Sequence, residues 1–195
     1  MTSYWGPLGW MTLHSASMLY SENPDLPEKL LMQKFIEAFG ETISCFHCKS
    51  HFLSMKKRYE AWNPGYLNSR REFMLFVFRA HNTVNKRLDK PVLQSVPDCL
   101  VTLKNANSYS DLASVRGSYM TYLQRNWNQD FTADGLSTRK KVQELFKINN
   151  EYLNMRTIDW SYTFDDNVLL FIEDVTPVFT QKKKFGGFKN GKLLF

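Results

Sequence analysis

Apolar residues recur along the first ninety positions at three- and four-residue intervals, the spacing of one face of a helix. Trp10, Leu13, Met18 and Leu19 mark the first stripe. It stops at Asn23-Pro24 and predicts a helix over about residues 7–21. Leu31, Phe35, Ile36 and Phe39 form the second stripe, and Glu28 beside Pro27 suits a first turn, so a helix is expected over about 27–41. A third run begins near Cys45 and passes through Phe52, Met55 and Tyr59 until Asn63-Pro64-Gly65 breaks it. The fourth stripe, Phe73, Phe76, Val77, Ala80, Val84 and Leu88, is the most regular. It predicts a helix over 69–88, with Pro91 at or just past its end.

Past residue 104 the pattern changes, because "KNANSYSD" is polar and rich in turn formers. This divides the chain into a first unit, 1–104, and a C-terminal extension, 105–195. Within the extension, 112–127 and 137–153 read as helices, the second with Ser137 or Thr138 as its cap. The stretch 160–180 carries β-branched and aromatic residues in short runs and is expected to hold short strands or extended segments. The fold class is therefore mainly α, a four- to five-helix bundle with a C-terminal mixed α/extended extension. Tyr119, Tyr122, Trp127, Phe146, Tyr152 and Trp160 give the extension enough aromatic surface to pack on the bundle or on a second subunit. It holds no glycine-rich phosphate loop, Ser/His/Asp set or carboxylate cluster, so a packing role is expected of it.

Composition narrows the class. With 43% apolar and 15% aromatic residues the chain has ample material for a core. The longest apolar runs, such as Phe73 to Phe78, fall far short of the roughly 20 residues a membrane-spanning helix needs, so no membrane partner is expected. The first fifteen residues contain no basic residue and no continuous apolar stretch, unlike a secretory signal. A net charge of +6 is thinly spread, with short clusters at Lys56 to Arg58 and Lys182 to Lys184, and nucleic-acid binding is not expected.

The chemistry concentrates in "ISCFHCKSHF", residues 43–52. Only 3 cysteines occur in the chain, so Cys45 and Cys48 are each other's natural partners. At a helix start the Cys45 thiolate would sit near first-turn N–H groups, which lowers its pKa, and a three-residue spacing allows a Cys45–Cys48 disulfide. The alternative is a zinc-stapled interaction module using Cys45, Cys48, His47 and His51, since a zinc half-site has the same cysteine spacing. Geometry weighs against it, because 47 leaves the helical face that 45, 48 and 51 share and no second ligand pair is at hand. Two buried cysteines without a role are the remaining reading.

Two further stretches flank this pair in order: "WGPLGWMTLH" before it and "HNTVNKRLDKP" after it. The three together resemble the signatures of the Erv/ALR family of FAD-dependent sulfhydryl oxidases, most closely the versions of large DNA viruses. The match rests on Trp10, Leu13 and His14, on the CxxC pair, and on His81, Asn82, Val84, Asn85, Leu88, Lys90 and Pro91. The resemblance implies that the bundle encloses FAD and that the enzyme forms disulfides in thiol-containing protein substrates, passing electrons from Cys45 and Cys48 to FAD and then to oxygen, giving hydrogen peroxide. It places Cys48 nearest the flavin and Cys45 at the exchange with substrate. The cofactor residues it implies are Gly6, Trp10, His14, Phe78, His81, Asn82, Val84, Asn85, Leu88 and Lys90, with no metal. Association as a homodimer through the first helices is implied as well. A viral version would act in the host cytoplasm or virion, a cellular one in the mitochondrial intermembrane space.

The chain departs from the family in three places. The usual second disulfide is absent, its positions being Phe78 and Ser95, and Cys99 is left as a small apolar residue or spare thiol. No shuttle CxxC exists, so substrate thiols must reach Cys45 directly. Pro7 replaces an arginine expected at the cofactor.

Overall fold

Each of the four helices expected in the first ninety residues is present: α1, Thr2–Leu19; α2, Leu26–Thr42; α3, Phe46–Trp62; and α4, Arg70–Arg87. The computed structural model describes residues 2–164, 168–172 and the strand pieces 188–189 and 192–193. Local chemistry sets the helix starts. Asp25 accepts the Glu28 N–H ahead of Pro27, and Ser69 accepts the Glu72 N–H, each cap contributing about 1 kcal/mol. α1 begins five residues earlier than the pattern predicts. Pro7 lies inside it, near the N-terminus, where a missing N–H forfeits only one bond.

Three more helices follow: α5, Val96–Tyr109; α6, Leu112–Trp127; and α7, Ala133–Glu151, which ends in a 3₁₀ turn at Leu153–Met155. α5 has no counterpart in the sequence reading. Ser95 caps it by accepting the Asp98 N–H, and Val96, Cys99 and Leu103 form its buried face. The helix then continues through the polar stretch taken for a turn, because Lys104, Asn105 and Ser108 lie on its exposed side. The turn itself is short, Ser110-Asp111. Ser137 and Thr138 prove to lie inside α7. Thr132 is the cap, accepting the Gly135 N–H, and its own N–H and hydroxyl donate to Asp130. Of the strands expected over 160–180, residues 165–167 and 173–180 lie outside the described residues, and 160–164 and 168–172 contain none. A two-residue antiparallel pairing joins Phe188–Lys189 to Lys192–Leu193.

The helices share one main core. Leu13 and Ala16 of α1, Phe35 and Ile36 of α2, and Phe76 of α4 are completely buried together with Tyr119 of α6 and Leu145 of α7. α6 packs on α1 and α7 on α2, so the second half of the chain covers the outer faces of the first two helices. Gly9 makes the α1–α6 approach possible, since a Cβ there would stand 3.3 Å from the Tyr119 ring and 3.4 Å from Phe39. Arg116 of α6 is buried and donates to Ser15 of α1, to Asn149 of α7 and to Asn154. The aromatics singled out in the extension are used the same way: Tyr122, Trp127, Phe146 and Tyr152 pack against the main core. A second cluster, built around Met18, Met74, Phe78, Val96 and Cys99, joins α5 to α1 and α4 and takes Trp160 on its rim. Arg79 donates to Tyr59 on α3 and to the Leu169 carbonyl, fastening the described 168–172 segment over α4. Among the described residues no helix is long and apolar enough to cross a membrane.

Candidate active site

α3 starts where the chain turns sharply out of α2. Gly40 sits against α3 at the turn, and a Cβ there would fall 2.7 Å from Leu53 and 3.0 Å from Phe52. Cys45 is the N-cap, with φ −87° and ψ 114°, and its Sγ accepts the Cys48 N–H at 3.3 Å. The two cysteines are joined in a disulfide with Cα atoms 5.2 Å apart. Both are half-buried, while between them Phe46 is 75% exposed. Cys48 reaches the wall of a deep cavity and Cys45 does not.

That cavity, of about 350 Å³, lies between the N-terminal half of α1, the C-terminal half of α4, the loop after α4, and α5. Its size falls in the range of small-molecule and cofactor sites. Trp10 of α1 and His81 of α4 stack in its wall with ring centroids 4.4 Å apart and planes 13° apart. Behind them His14 Nε2 stands 3.0 Å from His81 Nδ1. Both imidazoles are held neutral. Burial and then the neighbouring His81 push His14 well down; burial and then Lys90 bring His81 to about 4. Among the described residues nothing lies within 4 Å of where a Cβ would stand at Gly6.

The structure gathers Gly6, Trp10, His14, His81, Val84, Asn85, Leu88 and Lys90 around this one cavity with Cys48. Asn85 lines it and donates to the Pro91 carbonyl, holding the loop that carries Lys90. Two of the anticipated residues stand elsewhere. Asn82 is completely buried, and its carboxamide takes both the N–H and the carbonyl of Leu93, at 3.0 and 2.8 Å. Phe78 packs in the second cluster. Neither lines the cavity, though Asn82 holds Leu93, which does. Trp5, His51, Arg87, Leu93 and Cys99 line it without having been foreseen. Trp5 could have been found from the tryptophan pair five residues apart. Cys99 could not, because its helix left no clear periodic signal. Among the described residues no three His, Cys, Asp or Glu side chains come together to hold a metal ion, and the disulfide occupies two of the four ligands the zinc alternative needs.

A cysteine pair capping a helix, half open to solvent on one side and touching an aromatic-walled cavity on the other, is an arrangement suited to dithiol–disulfide exchange on a helical bundle. The Erv1/Alr family matches residues 8–105, and the chain belongs to that family. Among its relatives, an FAD-linked sulfhydryl oxidase of African swine fever virus is 37% identical over 90 residues, 46% of this chain and 72% of that protein. The mitochondrial FAD-linked sulfhydryl oxidase ERV1 of Saccharomyces cerevisiae is 33% identical over 86 residues, 44% of this chain and 43% of its own length. An Arabidopsis thaliana FAD-linked sulfhydryl oxidase, ERV1, is 29% identical over 87 residues, 45% of this chain and 44% of its own. No solved structure matches the chain.

Proposed function

We propose that this chain is an FAD-linked sulfhydryl oxidase that forms disulfides in protein substrates, with Cys45 exchanging with substrate and Cys48 facing the cofactor. One observation carries the reading: Cys48 and the stacked Trp10–His81 pair line the same cavity. The cavity suits a flavin. Its wall is aromatic and apolar for a planar ring, no described residue crowds Gly6, and Lys90 and Asn85 stand at the loop side for polar and anionic groups.

The cysteine chemistry follows from the geometry. A substrate thiolate attacks Cys45 Sγ, a substrate–Cys45 bond replaces the Cys45–Cys48 bond, and Cys48 leaves as a thiolate at the cavity wall. The second substrate thiol then attacks the substrate sulfur of that mixed disulfide. The substrate disulfide forms, and Cys45 is released as a thiolate that the Cys48 N–H stabilises. The substrate has lost two electrons and two protons, and the pair is now a dithiol. FAD, held by the cavity beside Cys48, would supply the two-electron acceptor for this dithiol, with oxygen as the final acceptor and hydrogen peroxide as its product.

Residues 1–104 are the catalytic unit of this proposal, and 105–195 its support. With no shuttle pair in the chain, protein thiols dock at Cys45 directly, beside exposed Phe46. A two-fold dimer belongs to the same proposal, through surfaces other than the outer faces of α1 and α2, which α6 and α7 cover. The deciding experiment is the colour of the purified protein. It should be yellow, bleach anaerobically with dithiothreitol, and recover in air; a colourless protein, or a flavin colour that dithiothreitol leaves unchanged, would sink the reading.

A further inference from the structure

Cys99, which the family resemblance leaves without a partner, is in contact with the cavity's histidine pair. Its Sγ lies 3.8 Å from His14 Nδ1, within reach of a sulfur hydrogen bond, and the other nitrogen of His14 lies 3.0 Å from His81 Nδ1. All three side chains line the cavity. We propose that Cys99 is a positioning residue. Acting through His14, it fixes the tautomer of His81, so that His81 presents an Nε2–H donor to the bound cofactor. This rests on the flavin reading for the identity of that cofactor but not for the hydrogen-bond chain itself.

A neutral imidazole has one donor nitrogen and one acceptor nitrogen, so the chain can run in only two directions. In one, the Cys99 S–H donates to His14 Nδ1, His14 Nε2–H donates to His81 Nδ1, and the His81 proton resides on Nε2. In the other, His14 Nδ1–H points at sulfur, His81 Nδ1–H points at His14, and His81 Nε2 is bare. The first is favoured. Imidazole nitrogen is a good acceptor and thiol sulfur a weak one, so the second direction puts the stronger donor on the poorer acceptor. Burial keeps the thiol protonated, pushing its pKa up to about 12, so the S–H is present to donate at neutral pH. Turning the His81 ring over would keep its plane against Trp10 but would put a ring carbon where Nδ1 now stands 3.0 Å from His14, so that contact fixes which nitrogen faces which way. Flavin nucleotides are rich in acceptor atoms, and a fixed donor in a dry wall favours them.

The test reads the tautomer directly. In the full chain labelled with ¹⁵N-histidine, two-bond and three-bond ¹H–¹⁵N correlation spectra at neutral pH should show His81, assigned with His81→Asn, protonated at Nε2. In Cys99→Ala the His81 signals should shift toward a mixture of tautomers, and in Cys99→Ser, which keeps a donor, they should return toward the single form. FAD binding to the flavin-stripped Cys99→Ala chain should weaken by about tenfold, the loss of one oriented hydrogen bond. A wild-type His81 protonated at Nδ1, or spectra identical in Cys99→Ala, would overturn the proposal whatever the flavin content. Failure of the wild type to bind FAD at all would overturn the flavin reading and leave the tautomer result standing.

Discussion

Trp10 and His81 come from helices that are far apart in sequence, yet their rings lie face to face at 4.4 Å, held from behind by the contact of His81 with His14. The stack ties the wall of the cavity to two helices at once. In His81→Ala both the ring and the partner of His14 are lost, leaving a buried nitrogen unpaired at roughly 1–3 kcal/mol. The expected result is flavin content well below one per chain. Added FAD should raise the melting temperature of the wild type, since it binds the folded state, and raise that of the variant little. Full occupancy in His81→Ala would show that the cofactor lies elsewhere.

The cap and the chemistry of Cys45 can be separated. Serine is a preferred N-cap, so Cys45→Ser should keep α3 and its melting temperature, whereas Cys45→Ala should lose about 1 kcal/mol. Both should lose turnover on dithiol substrates completely. Cys48→Ser should also lose turnover while remaining yellow, because the fold does not depend on the pair. Oxygen consumption with dithiothreitol, measured beside the visible spectrum, checks all three, and residual wild-type activity in Cys48→Ser would end the assignment of the pair.

How far the sequence could be read depended on where each residue's partner lies. The stripe Phe73 to Val84 and the Pro27-Glu28 first turn are local signals, and both helices stand where they were expected. Asn82 and Asn85 could be recognised as doing polar work, but not which work. Asn82 binds the backbone of Leu93, eleven residues on, a contact that only the loop's path reveals. α5 escaped because its buried face, Val96, Cys99 and Leu103, is three residues wide and followed by a polar outer face that resembles a turn. The role of the extension was invisible for a related reason: Tyr119 and Leu145 are read as apolar anywhere, and only the fold shows that they join Leu13 and Phe35 in one core.

That shared core makes a prediction about cooperativity. Leu145 is fully buried between α7 and α2, and Leu145→Ala should cost about 2–5 kcal/mol. If α6 and α7 complete the core of α1 and α2, the loss should appear in the same transition that releases the flavin. Urea unfolding followed by flavin fluorescence and by far-ultraviolet circular dichroism should then give coincident curves in both wild type and variant. Two separated transitions, with the flavin signal untouched by Leu145→Ala, would show that residues 105–195 are an independent unit.

The buried histidines set a pH dependence whose sign is fixed. His81 titrates near 4 in the folded chain against 6.5 when exposed, and burial, aided by Lys90, is the cause. Between those values the unfolded chain binds more protons, so stability rises with pH; the contribution is complete above 6.5 and is lost as pH falls through the window toward 4. A difference of that size corresponds to roughly 3 kcal/mol at full protonation, with His14 adding in the same direction. Asp130 and Asp159 are held below their ordinary 3.8, so their own contributions are lost only below that value and leave the window clear. The melting temperature of the full chain should therefore fall steadily from pH 7 to pH 4.5. His81→Asn should be less stable at pH 7 yet show a visibly shallower fall, the remainder being that of His14. An equally steep fall in the variant would mean that His81 is charged or solvated in the folded protein, and the neutral histidine pair at the cavity wall would have to be abandoned.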